Sequence, residues 1–186
     1  MKILVLDIET TGFSEKLDAI VEIGMVLTDT DTKKYKIVFN SVIKDKNFDQ
    51  KKHENSWIFL NSDLTVEEVQ KANTIEHYFD KIQSYFNKYN VTAFNKSFDL
   101  RFMSSRGFKC KDIKCLMEAS MDYVKLKDKR GNKKKPSVQE AYDFFFPTEG
   151  YVEKHRGGDD ARQEAKILLK MCEAKAKSKG KILLPY

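Results

Sequence analysis

An apolar run at residues 2–9 ends in two acidic residues, and few folds can bury such a segment. The apolar series is almost continuous, which is typical of a strand that is covered on both faces. Side chains two positions apart on a strand point to the same face, so Asp7 and Glu9 can reach one ion. Without a cation, burying two adjacent carboxylates is strongly unfavourable because of desolvation and like-charge repulsion. The run therefore predicts a buried strand that ends at a cation site, with two acids at a surface strand end as the alternative.

A second short strand, predicted at residues 91–94, leads through a turn at 95–97 into a helical pattern that begins near Asp99. Asp99 thus lies, like the first two acids, where a regular element begins. We interpret it as a candidate member of the same site. The alternative is an ordinary acid in the first turn of a helix, where the helix dipole favours negative charge.

A third stretch places His155 five residues before Asp160, which opens a segment to about Lys177 with apolar residues at helical spacing. Asp159 competes with Asp160 as a ligand. The alternatives are a loop role for the histidine and a helix-start role for the acid. The adjacent glycines 157–158 predict conformational freedom for the loop that carries His155.

Together the three stretches resemble the active-site motifs of the DEDDh family of proofreading-type 3′-to-5′ exonucleases, which have a ribonuclease-H-like fold. The resemblance covers nearly the whole chain, and the four residues between His155 and Asp160 match the family's spacing. A sister group has a tyrosine four residues before the last acid, where this chain has Arg156, and Tyr151 is interpreted as too far away. The resemblance implies that His155 is the general base and that four acids hold two Mg²⁺ or Mn²⁺ ions: Asp7, Glu9, Asp99 and Asp160.

The implied reaction is hydrolysis of phosphodiester bonds from the 3′ end of DNA or RNA, with release of nucleoside 5′-monophosphates. Mg²⁺ and Mn²⁺ prefer hard oxygen ligands, and two such ions about 3.5–4 Å apart can flank a phosphodiester. A neutral imidazole can accept the proton of the attacking water. For Phe98, packing beneath Asp99 is the alternative to a role in binding. Contacts with the 3′-terminal nucleotide are expected from Thr10, Thr11, Gly12, Asn95 and Phe98.

The segment 125–135 is strongly basic: it has seven basic residues against one acid, and its net charge of +6 equals that of the whole chain. Its centre, Arg130-Gly131-Asn132, has the composition of a turn, so we predict an exposed hairpin or loop. We expect Lys133, Lys134 and Lys135 to contact the backbone of a single-stranded or 3′-ended nucleic acid. A solvated loop without a ligand is the alternative.

The composition is that of one compact enzyme domain. An apolar fraction of 41% in 186 residues is sufficient for one hydrophobic core, so we expect a single exonuclease domain over residues 1–186. No apolar run approaches the ~20 residues that span a bilayer, so no membrane association is expected. Three cysteines without a C-x-x-C pair favour a reducing cytoplasm over a disulfide framework or a zinc site. A monomer and a homodimer are equally compatible with this length, and a polymerase or another protein is a candidate partner.

The order of the patterns predicts an α/β fold of the ribonuclease-H-like type, with a mixed sheet flanked by helices. Runs at 19–28 and 34–43 follow the first strand and predict an antiparallel three-strand meander. A capping box at Thr65 and a helical stripe at 75–86 precede the second motif, from which parallel strands are expected.

Two further segments have weaker patterns. Residues 44–63 are not assigned to a regular element. The resemblance implies that residues 56–61 within them border the active site as a substrate-wedging element, and the alternative, favoured for Trp57, is the buried anchor of a lid. Phe59 and Asn61 are candidate contacts for terminal bases. The C-terminal segment 179–186 is expected to dock on the core of the protein.

Two other function classes account for parts of the sequence. A catalytically silent nucleic-acid-binding module would use the basic segment, but a degenerate copy should have lost at least one of the five site residues. A metal-dependent phosphatase acting on small molecules is permitted by the fold, although the basic segment favours it less. DNA and RNA both stand as candidate substrates, because only one or two unidentified groups would detect the 2′-hydroxyl. Fold does not select the biological pathway.

Overall fold

The computed structural model describes the backbone of residues 1–177 and the side chains of residues 1–174. The segment 179–186, for which docking on the core is predicted, therefore lies outside the described residues. The sheet is mixed and has the order β3-β2-β1-β4: the first three strands are antiparallel, and β4 is parallel to β1. This confirms the predicted ribonuclease-H-like α/β fold with a three-strand meander. The strands are β1 (Lys2–Thr10), β2 (Ile20–Asp29), β3 (Lys34–Val42) and β4 (Asn90–Thr92).

Helices follow the meander and flank the sheet. As predicted, Thr65 starts a capping box, in which its hydroxyl accepts a hydrogen bond from the Glu68 N–H and the Glu68 carboxylate accepts one from the Thr65 N–H. Among the helices of residues 1–177, none combines the length and apolar composition that crossing a membrane requires. Besides a 3₁₀ turn at Glu76–Tyr78, the helices are α1 (Gln50–His53), α2 (Trp57–Asn61), α3 (Val66–Lys71), α4 (Phe79–Lys88), α5 (Lys96–Ser105), α6 (Leu116–Val124), α7 (Val138–Phe145) and α8 (Gly157–Lys177).

The two faces of the sheet pack against different helices. Even-numbered positions of β1, such as Leu4 and Leu6, pack with α4 and α5, whereas odd-numbered positions, such as Ile3 and Val5, pack with α6, α7 and α8. The stripe predicted at 75–86 is confirmed as core, because its apolar members on α4 are buried. Since Asp7 and Glu9 also occupy odd-numbered positions of β1, they lie on the face that α8 covers.

Helix α8 approaches the sheet so closely that glycine is required at the contact. A Cβ atom at Gly24 of β2 would collide with the backbone of Gly157, and one at Gly158 would collide with the side chain of Asn40. Both glycines at the start of α8 are buried in its first turn. They fix the beginning of α8 against β2, and the predicted freedom of the loop bearing His155 stays a prediction.

The segment that the sequence left unassigned contains α1 and α2. Its buried apolar anchor in this region is Ile58, which packs with the following Leu64 and with Val21 and Val69 in a small third cluster. Trp57 is 56% exposed, so its interpretation as a buried lid anchor is wrong. The reason is that α2 has only five residues. A helix of this length turns one side to the core, and Ile58 is the buried residue on that side. Phe59 packs partly into the same cluster.

Candidate active site

The end of β1 presents two carboxylates whose negative charge the chain does not neutralise. Asp7 Oδ2 is buried without a hydrogen-bond partner. Burial, followed by the charge of Glu164, raises the pKa of Asp7 well above its usual range. Burial and the charge of Asp160 raise the pKa of Glu9 in the same way. The charges that act most strongly on either pKa are other carboxylates, and all of them raise it.

Asp99 enters the site from the first turn of α5. The short strand β4 ends beside β1, and the turn at Asn95 then directs α5 back across the sheet. Asp99 is buried, and its Oδ1 accepts a hydrogen bond of 3.3 Å from the backbone N–H of Ile8, between the two acids of β1. Burial raises the pKa of Asp99 to about 7. The helix-start acid is thus also a member of the carboxylate cluster.

Asp160 enters from the first turn of α8, where it is buried. Its Oδ2 accepts a hydrogen bond of 2.9 Å from the Arg156 N–H, and its Oδ1 accepts one from the hydroxyl of Tyr151. Tyr151 lies nine residues before Asp160, outside the sister group's spacing, yet it contacts this carboxylate because the loop before α8 folds back over it. Asp159, the competing acid, forms an ion pair of 2.6 Å with Arg162 instead.

The three side chains of Glu9, His155 and Asp160 converge. Each offers one ligand atom, and these atoms all lie within 4.8 Å of one another. His155 has a φ of 55°, a left-handed conformation that is uncommon for residues other than glycine. Its ring meets the edge of the Trp57 ring with centroids 4.6 Å apart. The imidazole is therefore held at the carboxylates by contacts from outside its own loop.

Arg156, the next residue, fixes this loop to two distant segments. Its guanidinium forms two hydrogen bonds with the buried carboxylate of Glu22 on β2, at 2.8 and 3.2 Å. It also forms a hydrogen bond of 2.6 Å with Asp63, just after α2. Among the described residues, Arg156 is the cation that these contacts place beside the site. Because its guanidinium is bound to Glu22 and Asp63, it does not neutralise the carboxylate cluster.

Sequence reasoning missed two further acids near the site. Glu164 is buried one turn after Asp160, and its Oε2 accepts a hydrogen bond of 3.1 Å from the Phe94 N–H at the end of β4. Burial, followed by the charge of Asp99, raises the pKa of Glu164 well above its usual range. Burial and the charge of Asp160 raise the pKa of Glu153 to about 7. The i, i+4 spacing of Asp160 and Glu164 is the signal that places both on one helix face.

These carboxylates fit a divalent cation by their chemistry and their burial. Their donors are hard oxygen atoms, which Mg²⁺ and Mn²⁺ prefer. The unpartnered Oδ2 of Asp7 and the raised pKa values indicate that the cluster is unfavourable when ionised without a counter-charge. A bound cation would remove that penalty.

The glycine turn after β1 is held by contacts within the protein. The hydroxyl of Thr10 donates to the carbonyl of Gly12 at 2.7 Å. Thr11 is turned inward, and both its N–H and its hydroxyl form hydrogen bonds of 2.9 Å with the backbone of Ala19. A Cβ atom at Gly12 would collide with Asp18. The N–H and hydroxyl of Thr11 are thus engaged with the protein, and Gly12 is also required by packing.

Aromatic side chains surround this turn and the loop before α8. Phe98 is partly buried and packs against Phe102 on the core side, with ring centroids 5.0 Å apart. Phe13, next to Gly12, is 86% exposed and meets Phe98 edge-on at 6.3 Å. Asn95 is exposed at the beginning of α5. Phe13 and Trp57 are therefore exposed rings near the site. The sequence patterns did not identify Phe13, and they placed Trp57 in a candidate element beside the site but favoured a buried role for it.

The three lysines expected to contact substrate differ in their surroundings. Lys134 forms an ion pair of 2.5 Å with Glu140, and Lys135 forms one of 3.4 Å with Glu118 in the first turn of α6. Lys133 pairs with Lys127 across a short antiparallel bridge, so the predicted hairpin is present. The hairpin lies beside the end of α6 and not among the carboxylates.

The sequence profile of the RNase_T family, described as exonucleases, matches residues 4–168 of this chain. The chain belongs to this exonuclease family. Membership makes it a nuclease, a hydrolase that acts on nucleic acids, and a divalent cation is the general requirement of RNase_T exonucleases. It also confirms the resemblance that the five site residues indicated. Among curated proteins, none is similar enough in sequence to match.

Solved structures support the same fold for this RNase_T exonuclease. A 3′-exonuclease described as recognising the 3′ end of a histone mRNA stem-loop is 17% identical, with a TM-score of 0.67 over 93% of this chain and 82% of that one. The cell-death related nuclease 4 is 14% identical, with a TM-score of 0.69 over 93% and 64%. E. coli exonuclease I in complex with a dA16 oligonucleotide is 15% identical, with a TM-score of 0.65 over 93% and 41%. At these identities the likenesses show the fold.

Proposed function

We propose that this RNase_T exonuclease removes nucleotides from the 3′ end of DNA or RNA and releases nucleoside 5′-monophosphates. The supporting observation is the convergence of Glu9, His155 and Asp160 within 4.8 Å, beside the uncompensated carboxylates of Asp7 and Asp99. A single domain over residues 1–186 is part of the proposal. The metal ligands for two Mg²⁺ or Mn²⁺ ions are Asp7, Glu9, Asp99 and Asp160.

The proposed roles follow from what each side chain can do. When bound, the cations supply positive charge that activates water and stabilises the oxygens of a phosphodiester. His155 accepts the proton of the attacking water, because its ring lies beside two ligands and Trp57 limits its tilt. Asp99 connects α5 to β1 through the Ile8 N–H, which holds the ligand on α5 beside the two ligands on β1.

The substrate contacts proposed at the 3′ end combine backbone and ring surfaces. Phe13 and Trp57 expose their rings near the site, and stacking on aromatic side chains is worth roughly 1–3 kcal/mol per base in single-strand binders. Backbone groups of residues 10–12 and the exposed side chain of Asn95 are proposed to orient the terminal nucleotide. Phe98 supports Phe13 from below. Solved relatives in complex with oligonucleotides make a nucleic-acid strand the favoured substrate over a small phosphate ester.

End-labelled strands test the proposal. Single-stranded DNA and RNA labelled at the 5′ or 3′ end are incubated with Mg²⁺, Mn²⁺ or chelator, with Asp7→Ala as the inactive variant. A matched control is Asp31→Ala. Asp31 is an exposed acid beside the N-terminus of β1, at the end of the strand away from Asp7. We expect stepwise release of mononucleotides from the 3′ end, only with metal, in the wild type and Asp31→Ala. Binding without release would support the silent module, and activity only on small phosphate esters would support the phosphatase.

A further inference from the structure

The basic segment 125–135 is an ordered hairpin. The N–H of Asp128 donates to the carbonyl of Asn132 at 2.8 Å, and the N–H of Lys134 donates to that of Leu126 at 3.0 Å. At the tip, the carboxylate of Asp128 accepts hydrogen bonds from the backbone N–H groups of Arg130 and Asn132, at 2.8 and 2.9 Å. The single acid of the segment is thus used to close the turn, and does not neutralise the lysines on the two arms.

A cavity of 290 Å³ lies between this hairpin and the end of α6. Met121 and Leu126 contribute apolar side chains to its lining, and the remaining lining residues are four lysines and one acid: Lys125, Lys127, Lys133, Lys134 and Asp122. A cavity with an apolar surface and a cationic wall matches a nucleotide, which has a flat base and an anionic phosphate.

Apart from Lys129 near the tip, the lysines of the hairpin fall into two groups. Lys134 and Lys135 are neutralised by glutamates, whereas Lys125, Lys127 and Lys133 form no ion pair with the described residues. Lys127 and Lys133 also face each other across the antiparallel bridge. Like charges directly opposite on two strands are destabilising. An anion between them would relieve this repulsion.

Helix α6 leads from the end of β4 to the cavity. It begins where the N–H groups of Leu116 and Met117 donate to the carbonyls of Ala93 and Phe94 at 3.1 and 3.0 Å. Its nine residues extend about 14 Å at 1.5 Å per residue. A stacked strand advances about 3.4 Å per nucleotide. The cavity, which Met121 of α6 lines, is therefore within about 14 Å of the end of β4, the length of about four stacked nucleotides.

We propose that this cavity is a subsite for one nucleotide of the substrate strand, about four positions from its 3′ end. Lys125, Lys127 and Lys133 bind the phosphates on either side, and the base lies on Met121 and Leu126. The subsite rests on the proposed function, because its occupant is the strand whose 3′ end lies among the carboxylates. It gives the exonuclease a preference for strands longer than about four nucleotides.

The test compares two triple variants with the same change in charge. One is Lys125→Gln with Lys127→Gln and Lys133→Gln. The control replaces three lysines that line another cavity, at the opposite end of the sheet, and form no ion pair with the described residues: Lys2→Gln, Lys34→Gln and Lys36→Gln. Affinity for a dodecanucleotide is measured by fluorescence anisotropy with chelator at several salt concentrations, and kcat/KM is measured for a trinucleotide and the dodecanucleotide with Mn²⁺.

For the hairpin variant we expect the salt slope of dodecanucleotide binding to fall by about 1.4, because the lysines bind two phosphates and each phosphate contact on a single strand contributes about 0.7. Between 50 and 200 mM salt, wild-type binding should then weaken roughly 7-fold more than that of the variant. kcat/KM for the trinucleotide should be unchanged. The control should keep the wild-type slope. Leu126→Ala should weaken dodecanucleotide binding severalfold at an unchanged slope, and an abasic position four nucleotides from the 3′ end should abolish that difference.

Two results would overturn the subsite. One is an equal change of slope in both triple variants, which would indicate a general effect of net charge. The other is an unchanged slope in the hairpin variant. Failure of the proposed function gives a different pattern, in which the wild type cleaves neither oligonucleotide, and the anisotropy still reports on the cavity because it is measured without turnover.

Discussion

Two groups of buried charged residues in this protein differ in whether the chain supplies their counter-charge. Asp45 and Arg106 form a fully buried ion pair of 2.7 Å, with side chains 0% and 2% exposed. Asp45 also accepts hydrogen bonds from the N–H groups of Ile20 and Asn47, at 3.1 and 2.9 Å. Arg106 donates further to the carbonyl of Asp18 at 2.8 Å. Each partner is satisfied within the chain, and the pair holds the loop after the glycine turn to the start of β2.

The carboxylates at the end of β1 have no such partner. Asp7 leaves an oxygen unpaired, and burial raises the pKa of Asp99 to about 7. Arg156, the residue next to His155, is bound to Glu22 and Asp63. The comparison shows that this fold can neutralise a buried acid with its own cation where the role is structural. At the site the carboxylates keep an uncompensated negative charge, which a cation supplied from solution can neutralise.

The largest expected effect is on activity, and it tests whether the uncompensated carboxylate of Asp7 has a function. Asp7→Asn keeps the volume and removes one charge, so we expect kcat/KM to fall by more than the roughly 10–100-fold that outer-shell changes cost at metal sites. The measurement is mononucleotide release with Mn²⁺ at saturating metal. Asp159→Asn is the matched control, because Asp159 pairs with Arg162 outside the cluster. Comparable losses in both variants would contradict the assignment of Asp7.

Stability sharpens the comparison in a second experiment, with chelator present. Asp45→Asn leaves Arg106 buried without its charge partner, and such a change destabilises proteins by roughly 3–5 kcal/mol. Asp7→Asn removes an uncompensated charge, so we expect the metal-free variant to be more stable than the wild type. Urea unfolding of both variants gives the two free energies of unfolding. A similar destabilisation in both would mean that the two groups of charge are equivalent.

The pH dependence of the metal-free protein has a sign that follows from the raised pKa values. An unfolded chain loses its carboxyl protons near pH 4, whereas folded Asp99 keeps its proton until its pKa of about 7. The folded state therefore binds more protons over this range, and the free energy of unfolding falls as pH rises, by up to about 1.4 kcal/mol for each unit of pKa shift. Asp7, Glu9 and Glu164 contribute with the same sign.

Urea unfolding between pH 5 and pH 8 in chelator measures this slope. Added Mn²⁺ should stabilise the protein more at pH 8 than at pH 5, since metal binding competes with protons for the same oxygens. Asp99→Asn should flatten the profile in chelator. Stability that rises from pH 5 to pH 8 without metal would show that the chain itself compensates these acids.

The sequence predicted those features that depend on neighbouring residues. The apolar run of β1 fixes which face Asp7 and Glu9 share, and the Thr65 capping box was read from residues three positions apart. The convergence of Asp99 and Asp160 with them was implied by resemblance, since no local pattern connects positions so distant along the chain. These are the parts of the fold and site for which local physical chemistry, or a known motif, was sufficient.

Features that depend on packing between distant segments were not predictable in this way. Gly157 is required because Gly24, on another element, leaves no room for a side chain between them. Tyr151 reaches Asp160 only because the loop folds back over α8. Trp57 was interpreted as buried from its size alone, whereas the short α2 gives the buried position to its neighbour Ile58. Each of these features depends on which distant segments pack against one another. Hydrophobic periodicity within one segment does not specify that packing.

The smallest expected effect concerns the exposed contact of Arg156, which is its ion pair with Asp63. The ion pair between Arg156 and Asp63 is 2.6 Å long, but Asp63 is 80% exposed, and exposed pairs contribute little. Arg156 remains bound to Glu22 when Asp63 is replaced. We therefore expect Asp63→Asn to lower kcat no more than about fivefold, with an unchanged KM, because the loop bearing His155 gains freedom and the ligands stay in place.

Single-turnover rates at low and high salt measure this effect. Salt screens exposed charges, so high salt should bring the wild-type rate toward that of Asp63→Asn. Glu173→Gln is the control, because it removes an ion pair of 3.4 Å with Lys33 on another part of the surface. A wild-type rate that is insensitive to salt, with Asp63→Asn equal to it, would show that Glu22 alone fixes Arg156. The orientation of His155 would then depend on the buried end of the arginine and on Trp57.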